Sequence, residues 1–306
     1  MPLGRVEEMT AVHYDSLLSD DARRARIYAG DIFVYRPLPA VLQLVGFARE
    51  MISAAFDGLD PETAQDRLPV SEYAAKLAVM KPAFIHHPGC KQLLPEILQQ
   101  LGCDPELTYF DVPRMRTSTS DGYLTTGIAY AFHPHRDTWY SAPMCQINWW
   151  LPIFPLAPDN CMAFHPQFWA RPLQNTSATY DYQEWNRSAR YSAAQQIGVD
   201  SRPQPHAVEP VQTEPDIRLL PAPGGLIVFS GAQLHSSVPN SSGRTRFSID
   251  FRTVHVGDAR ELRGAPNVDS RPAGTTMGDY LRCTDLMHLP EDASAPYDAG
   301  PPQPAP

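Results

Sequence analysis

The chain has no close cysteine pair and no CxxC. Its five cysteines (Cys90, Cys103, Cys145, Cys161 and Cys283) are odd in number and widely spaced. That pattern excludes a disulfide framework or a zinc–thiolate site as the organising feature, and a reducing cytoplasm is the expected compartment. No stretch of 18 apolar residues occurs, and the opening MPLGRVEEMTAVHYDSLL carries no apolar core of signal type. Neither a membrane span nor a secretory leader is therefore expected. Basic charge is scarce as well. The net charge of -9 lacks the positive footprint that nucleic acid requires. The expected partner is a small molecule, with the chain a monomer or a homodimer.

Proline, by contrast, is abundant: 32 residues among 306, about twice the usual share of roughly 5%. So much proline favours strands, turns and loops over a helical bundle. The first third is nonetheless helical in pattern. Ser19-Asp20-Asp21 resembles a helix start. Val41, Leu44, Val45, Ala48, Met51, Ile52, Ala55 and Phe56 recur at i, i+3, i+4, which predicts an amphipathic helix over 40–56. Further helices are expected at about Ser71–Val79 and Cys90–Leu101, the latter ended by Gly102. DIFVYR at 31–36 reads as a strand between them.

From residue 106 the texture changes to short β-branched and aromatic runs. Strands are expected at Leu107–Val112, Met115–Ser120, Tyr123–Ala131, Cys145–Ile153, Ala163–Phe164, Gly225–Ser230 and Arg246–Val254. The segment 166–223 is long, polar and proline-rich, the kind of loop a compact domain carries for a functional reason. Helices followed by short strands predict an α+β chain, mainly β: an antiparallel barrel or sandwich with an N-terminal helical buttress. We read one domain over 1–291, with the buttress at 1–105, the barrel core at 106–256 interrupted by 166–223, and an extension at 257–291. Residues 292–306 read as a disordered tail.

Two distant stretches carry the chemistry. The first is YAFHPHRDTWY with His135 and Asp137; the second runs from Gly224 to Thr253 and holds His235, Arg244 and Arg246. A His-x-Asp pair alone is common by chance, and the chain has a second one at His13 and Asp15, read as a solvated helix end. At 135 and 137 the context differs. Residues two apart in extended backbone point the same way, so an imidazole and a carboxylate can face one ion. His235, expected at the end of the buried run LIVFSGAQL, would complete a two-His, one-carboxylate set, although a lone histidine there reads equally well as a bonded core residue. Arg246 opens RFSIDFRTV, where Phe247, Ile249 and Phe251 form one face and Arg246, Ser248, Asp250 and Arg252 the other. A guanidinium on the interior face of a barrel needs a partner. That partner is either the carboxylate of a small dicarboxylate or, for Arg246 or Arg252, Asp250.

These residues resemble the phytanoyl-CoA dioxygenase-like branch of the Fe(II)/2-oxoglutarate-dependent oxygenases. The likeness rests on His135-x-Asp137, His235, Arg246 and the segment Asp159-Asn160-Cys161-Met162-Ala163-Phe164-His165-Pro166. That segment is similar to the family's ENGCL…PGSH, with Cys161 in place of its glycine and without the final Gly-Ser-His. The resemblance covers 109–256, about half the chain. It implies a double-stranded β-helix (a jelly-roll or cupin-like barrel), Fe(II) on His135, Asp137 and His235, and 2-oxoglutarate with its far carboxylate on Arg246. It also implies O2 as oxidant and ascorbate as accessory reductant. The reaction so implied is hydroxylation, desaturation, epoxidation or cyclisation at an unactivated C–H bond, with 2-oxoglutarate leaving as succinate and CO2. Natural-product metabolism is one setting for such an enzyme. Asp137 stands where the superfamily's halogenases carry Gly or Ala, which implies a hydroxylase-type site.

Around these, Gln146, Asn148, Thr119 and Arg244 are candidate 2-oxoglutarate contacts, with Thr117 and Arg116 on the same expected strand. Trp139, Tyr140 and Trp150 are candidate substrate walls. Each has a plainer reading as a core amide, a surface residue or packing. His133, His165 and His255 are read as bystanders. The alternatives are a metallo-cupin acting without 2-oxoglutarate, as a dioxygenase or isomerase, and a non-catalytic barrel that only binds.

Overall fold

The computed structural model describes residues 10–130, 133–298 and 300. In chain order it runs β1 (Val12–Tyr14), α1 (Asp20–Tyr28), β2 (Ile32–Tyr35), α2 (Pro39–Ala55), α3 (Val70–Ile85), α4 (Pro88–Gln100), β3 (Thr108–Phe110), β4 (Arg114–Ser118), β5 (Ile147–Pro152) and β6 (Met162–Phe164). There follow α5 (Tyr182–Glu184), β7 (Ile217–Arg218), β8 (Leu226–Ser230), β9 (His235–Ser237), β10 (Arg246–His255), α6 (Val256–Arg260), β11 (Leu281–Arg282) and α7 (Glu291–Ser294). Short 3-10 turns fill several of the gaps.

The helices start where the local chemistry allows. Ser19 caps α1, its Oγ accepting from the Ala22 amide, with Asp20 and Asp21 in the first turn. Proline occupies the first position of α2 and of α4, where its missing N–H costs nothing. Gly102 follows α4 at φ +76°, the left-handed conformation that ends a helix most easily on glycine.

Eight strands form one sheet in the order β1-β2-β8-β5-β10-β3-β11, with β4 also paired to β10; β7-β6-β9 form a second, smaller sheet. The central strands are buried on both faces, so they read as near-continuous apolar runs. Alternation sorts their side chains into two cores. Phe33 and Tyr35 of β2, Trp149 and Leu151 of β5, and Phe247, Ile249 and Phe251 of β10 share a cluster with Val41, Leu44, Ala48 and Ile52 of α2 and Leu77 and Phe84 of α3. The opposite-facing Ile32, Val34, Trp150, Ile227 and Phe229 pack on Met162 and Phe164 of the small sheet. The molecule is thus a mixed α+β structure, mainly β, with helices on one face of the large sheet and the small sheet on the other. No helix among the described residues is long and apolar enough to cross a membrane.

Several expectations are corrected. Tyr123–Ala131 is not a strand: Gly127–Ala129 forms a 3-10 turn, and Ala131 lies outside the described residues. Gly127 sits at φ +59°, and an added Cβ would fall 2.3 Å from the Ala193 carbonyl oxygen. The intruding 166–223 segment therefore takes the place a pairing strand would need. His235 does not end the LIVFS strand; it opens β9 in the other sheet, after a turn through Gly231. His13 is not at a solvated helix end but on β1, bonded to Asp31 at 2.8 Å. The tail is not disordered where it is described. Ala293 and Tyr297 are buried in the main core, and the Tyr297 hydroxyl donates to the Ala259 carbonyl. Residues 301–306, with Ala299, lie outside the described residues.

Candidate metal centre

His135, which lies outside the named strands, and His235, the first residue of β9, meet as an isolated antiparallel bridge, each amide donating to the other's carbonyl at 3.0 Å. Their ring centroids lie 4.4 Å apart. Arg136 between His135 and Asp137 is extended (φ -110°, ψ 141°), so the two flanking side chains project together. Asp137 itself opens a 3-10 turn, not a strand, and its amide donates to Gly231. The donor atoms of His135, Asp137 and His235 all lie within 4.8 Å of one another. Asp137 Oδ1 is 3.5 Å from His135 Nε2 and 3.9 Å from His235 Nε2.

The second atom of each ligand is held as a metal site requires. His135 Nδ1 bonds the His133 carbonyl at 2.8 Å, and His235 Nδ1 bonds the Gln233 carbonyl at 3.0 Å. A carbonyl only accepts, so each Nδ1 carries a proton, and Nε2 is the ring nitrogen turned toward Asp137. Asp137 Oδ2 accepts from Gln146 Nε2 at 3.0 Å and Asn148 Nδ2 at 2.8 Å. Tyr280 in turn donates to Gln146 Oε1 at 2.7 Å, which fixes the amide's orientation.

The electrostatics agree with this arrangement. Burial pushes the Asp137 carboxyl up, but its contact with His135 and the charge of Arg252 outweigh burial and hold it well below the usual range. Arg252 Nε lies 3.7 Å from Oδ2. Burial, and then the neighbouring His135, push His235 down to about 4 against the pull of Asp137. His235 is therefore neutral near pH 7 and able to donate a lone pair.

The three residues line a cavity of about 400 Å³ that also takes in Tyr140, Gln146, Asn148, Trp150 and Arg246. Arg246 is 7% exposed. Its guanidinium donates to the Asn160 and Cys161 carbonyls at 3.1 Å each, its Nε has no partner, and no carboxylate pairs with it among the described residues. Its plane lies over Trp150, 5.7 Å from the ring centroid. Burial pushes Arg246 down to about 10, with only distant help from Cys161 and Asp250.

The remaining candidates divide. Tyr140 stands edge-on to His135 at 5.5 Å, and Trp150 is on the cavity wall. Gln146 and Asn148 are committed to Asp137 and not to the open space. Trp139 is fully buried, and its indole donates to Asp269 at 2.7 Å, so it is off the cavity wall. Thr119 spends its hydroxyl on the Leu124 backbone, closing a turn. Arg244 is half-exposed and bound to Glu62, on the surface. Thr117 lines the cavity, and its buried hydroxyl has no partner; Arg116 forks onto Asp250. His165 is a core histidine between Thr213 and Ser236.

Sequence reasoning missed Arg136 and Asp269. Arg136 points away from the ligands it separates, into the body of the protein. It binds the carbonyls of Ala232 and Phe168 and the Asp269 carboxylate. Asp269 also takes the Trp139 indole and the Leu173 amide. The only available signal was position: a residue between two same-facing ligands must face the opposite way. Arg252 pairs with Asp250 at 3.1 Å, one of the two partners the alternation of β10 offered, and also reaches Asp111 and Asp137, which sequence reasoning did not connect to it.

No family model matches the chain, and no curated protein matches it. Distant likenesses occur among solved structures. AviO1 from Streptomyces viridochromogenes Tue57 is 14% identical, over 78% of this chain and 96% of that one, with a TM-score of 0.38. The epimerase SnoN, solved with Fe3+, alpha ketoglutarate and nogalamycin RO, is 14% identical over 78% and 85%, with a TM-score of 0.40. EvdO2 from Micromonospora carbonacea var. aurantiaca, solved with 2-oxoglutarate, is 14% identical over 57% and 62%, with a TM-score of 0.35.

Proposed function

We propose that the chain is an Fe(II)- and 2-oxoglutarate-dependent oxygenase, and that its two sheets form a double-stranded β-helix. Two imidazoles and one ionised carboxylate suit a divalent iron and leave further coordination positions open. The observation that carries the reading is Arg246. A buried guanidinium with an orphaned Nε and no carboxylate, on the wall of the cavity that holds the triad, fits a ligand that brings its own carboxylate. A barrel that used the ion without such a ligand would leave that charge uncompensated.

When bound, iron and 2-oxoglutarate supply activation of O2 for oxidation of a substrate C–H bond, with succinate and CO2 as by-products. The chain's own residues do the rest. Gln146, Asn148 and Arg252 hold Asp137 so that Oδ1 faces the histidines. The His133 and Gln233 carbonyls fix both imidazole tautomers. Arg246 takes the far carboxylate, and Trp150 behind it keeps that end dry. Tyr140, Tyr180, Tyr182 and Trp185, the last three from the 166–223 segment, line the cavity and exclude water from the substrate side. The substrate is a small to medium organic molecule. Hydroxylation, desaturation, epoxidation and cyclisation all fit such a site; halogenation does not, because Asp137 stands where the superfamily's halogenases carry Gly or Ala.

The test is anaerobic addition of Fe(II) and 2-oxoglutarate, read as a weak visible charge-transfer band. The band is expected in the wild type and absent in His135→Ala. A folded wild type that binds iron yet gives no band on adding 2-oxoglutarate would overturn the reading.

A further inference from the structure

The chain contains three lysines: Lys76, Lys81 and Lys91. Lys76 is held by Asp57 at 2.7 Å. Lys81 is different. It lies on α3, is 8% exposed, and reaches the wall of the cavity. Its ammonium donates to the Ile128 carbonyl, in the turn that replaces the expected strand. No carboxylate lies within 4.0 Å of it among the described residues. An ammonium has three donors, so one carbonyl leaves it short both of acceptors and of counter-charge.

The other cations around the cavity show how unusual this is. Arg114 pairs with Asp111, Arg116 with Asp250, Arg202 with Asp200, and Arg252 with Asp111 and Asp250. Only Arg246 and Lys81 lack a carboxylate among the described residues. Burial first, and then the charge of Arg116, push Lys81 down to about 7, against a weaker pull from Asp250. An anion arriving in the cavity would lift both penalties. The same cavity is lined by Tyr130, Tyr182 and Trp185, which offer apolar area and ring faces.

We infer that Lys81 is the docking point for an oxyanion of the substrate, and that the substrate is a carboxylate or phosphate ester on an apolar, ring-bearing frame. This rests on the reading of the cavity as the active site, with Arg246 reserved for the cosubstrate. Two separate cationic positions then let the cavity hold two anions at once. One is common to every turnover; the other selects the substrate.

The test uses 2-naphthoate, 2-naphthyl phosphate and the neutral 2-naphthamide as probes, titrated by calorimetry into the full chain. One series contains Fe(II) and 2-oxoglutarate under argon; the other contains neither. The wild type is expected to bind the two anions at least tenfold more tightly than the amide in both series. Lys81→Met erases that preference, Lys81→Arg restores part of it, and Arg246→Met leaves it in place. The acid–amide comparison in the wild type needs no variant, so a fold defect cannot mimic the result. Equal binding of acid and amide, no binding of either anion, or a preference that survives in Lys81→Met would overturn the inference. If Lys81 only pins α3 to the Ile128 turn, Lys81→Met lowers the melting temperature and leaves any anion preference unchanged. Failure of the oxygenase reading shows separately, as absent 2-oxoglutarate binding in the loaded series with the bare series unaffected.

Discussion

Replacing Arg246 by Met separates a functional charge from a structural one. The guanidinium is pushed from the usual ~12.5 to about 10, chiefly by burial. At ~1.4 kcal/mol per unit this is a cost of about 3 kcal/mol to the fold. The sign follows from the direction. A cation whose folded pKa is depressed costs stability at every pH below about 10, and the cost fades only as pH rises from there toward its unfolded value. Arg246→Met removes the cost but strands the Asn160 and Cys161 carbonyls, at upward of about 1 kcal/mol each. The unliganded variant should therefore stay within about 2 kcal/mol of wild type in urea unfolding. Arg136→Met is the control, because Arg136 is equally buried but paired with Asp269 at 3.2 Å. Leaving that buried carboxylate without its cation should cost about 3–5 kcal/mol. In the metal-loaded wild type, 2-oxoglutarate at a hundredfold excess over its Kd should add about 2.7 kcal/mol; in metal-loaded Arg246→Met the same concentration should add nothing. If Arg246→Met is as damaged as Arg136→Met, or is still stabilised by 2-oxoglutarate, the reasoning fails.

Asn148→Leu removes one donor to Asp137 Oδ2 and should weaken iron binding by roughly 10–100-fold, measured by competition with a colorimetric chelator, while the far-ultraviolet circular dichroism spectrum stays the same. Tyr297→Ala empties a buried ring site and should cost about 3 kcal/mol, read from urea unfolding; an unchanged midpoint would mean the C-terminal segment does not pack as described. Arg244→Ala, on the surface with Glu62, should change stability by less than about 1 kcal/mol and leave 2-oxoglutarate binding untouched, as followed by the charge-transfer band.

The triad could be read from the sequence because each member carries a local signal: a same-facing spacing at 135 and 137, and apolar runs beside 135 and 235. The helix over 40–56 could be read for the same reason, since its period is internal to the segment. What could not be read is what depends on distant neighbours. Tyr123–Ala131 has strand composition, but residues 193–196 occupy the space beside Gly127. Gln146 and Asn148 were placed on the correct face, yet nothing local says that Asp137 consumes their donors. Arg246 could be preferred to Arg244 because the expected strand opens at Arg246, as β10 does; that Arg244 meets Glu62 depends on a distant neighbour. The tail is proline-rich, yet Ala293 and Tyr297 find a hydrophobic groove that no composition rule registers.

The mutual backbone bonds between His135 and His235 have a thermodynamic consequence. The two imidazoles are brought together by a β-bridge that the chain closes by itself, with both tautomers already set by neighbouring carbonyls. An arriving ion has little chain to order, so its binding energy goes into affinity and not into assembling the site. Exhaustive treatment with a chelator should then strip the ion while the two bridge amides keep their slow hydrogen exchange. The site behaves as a frame that admits and releases its ion, not as a clasp that the ion must fold.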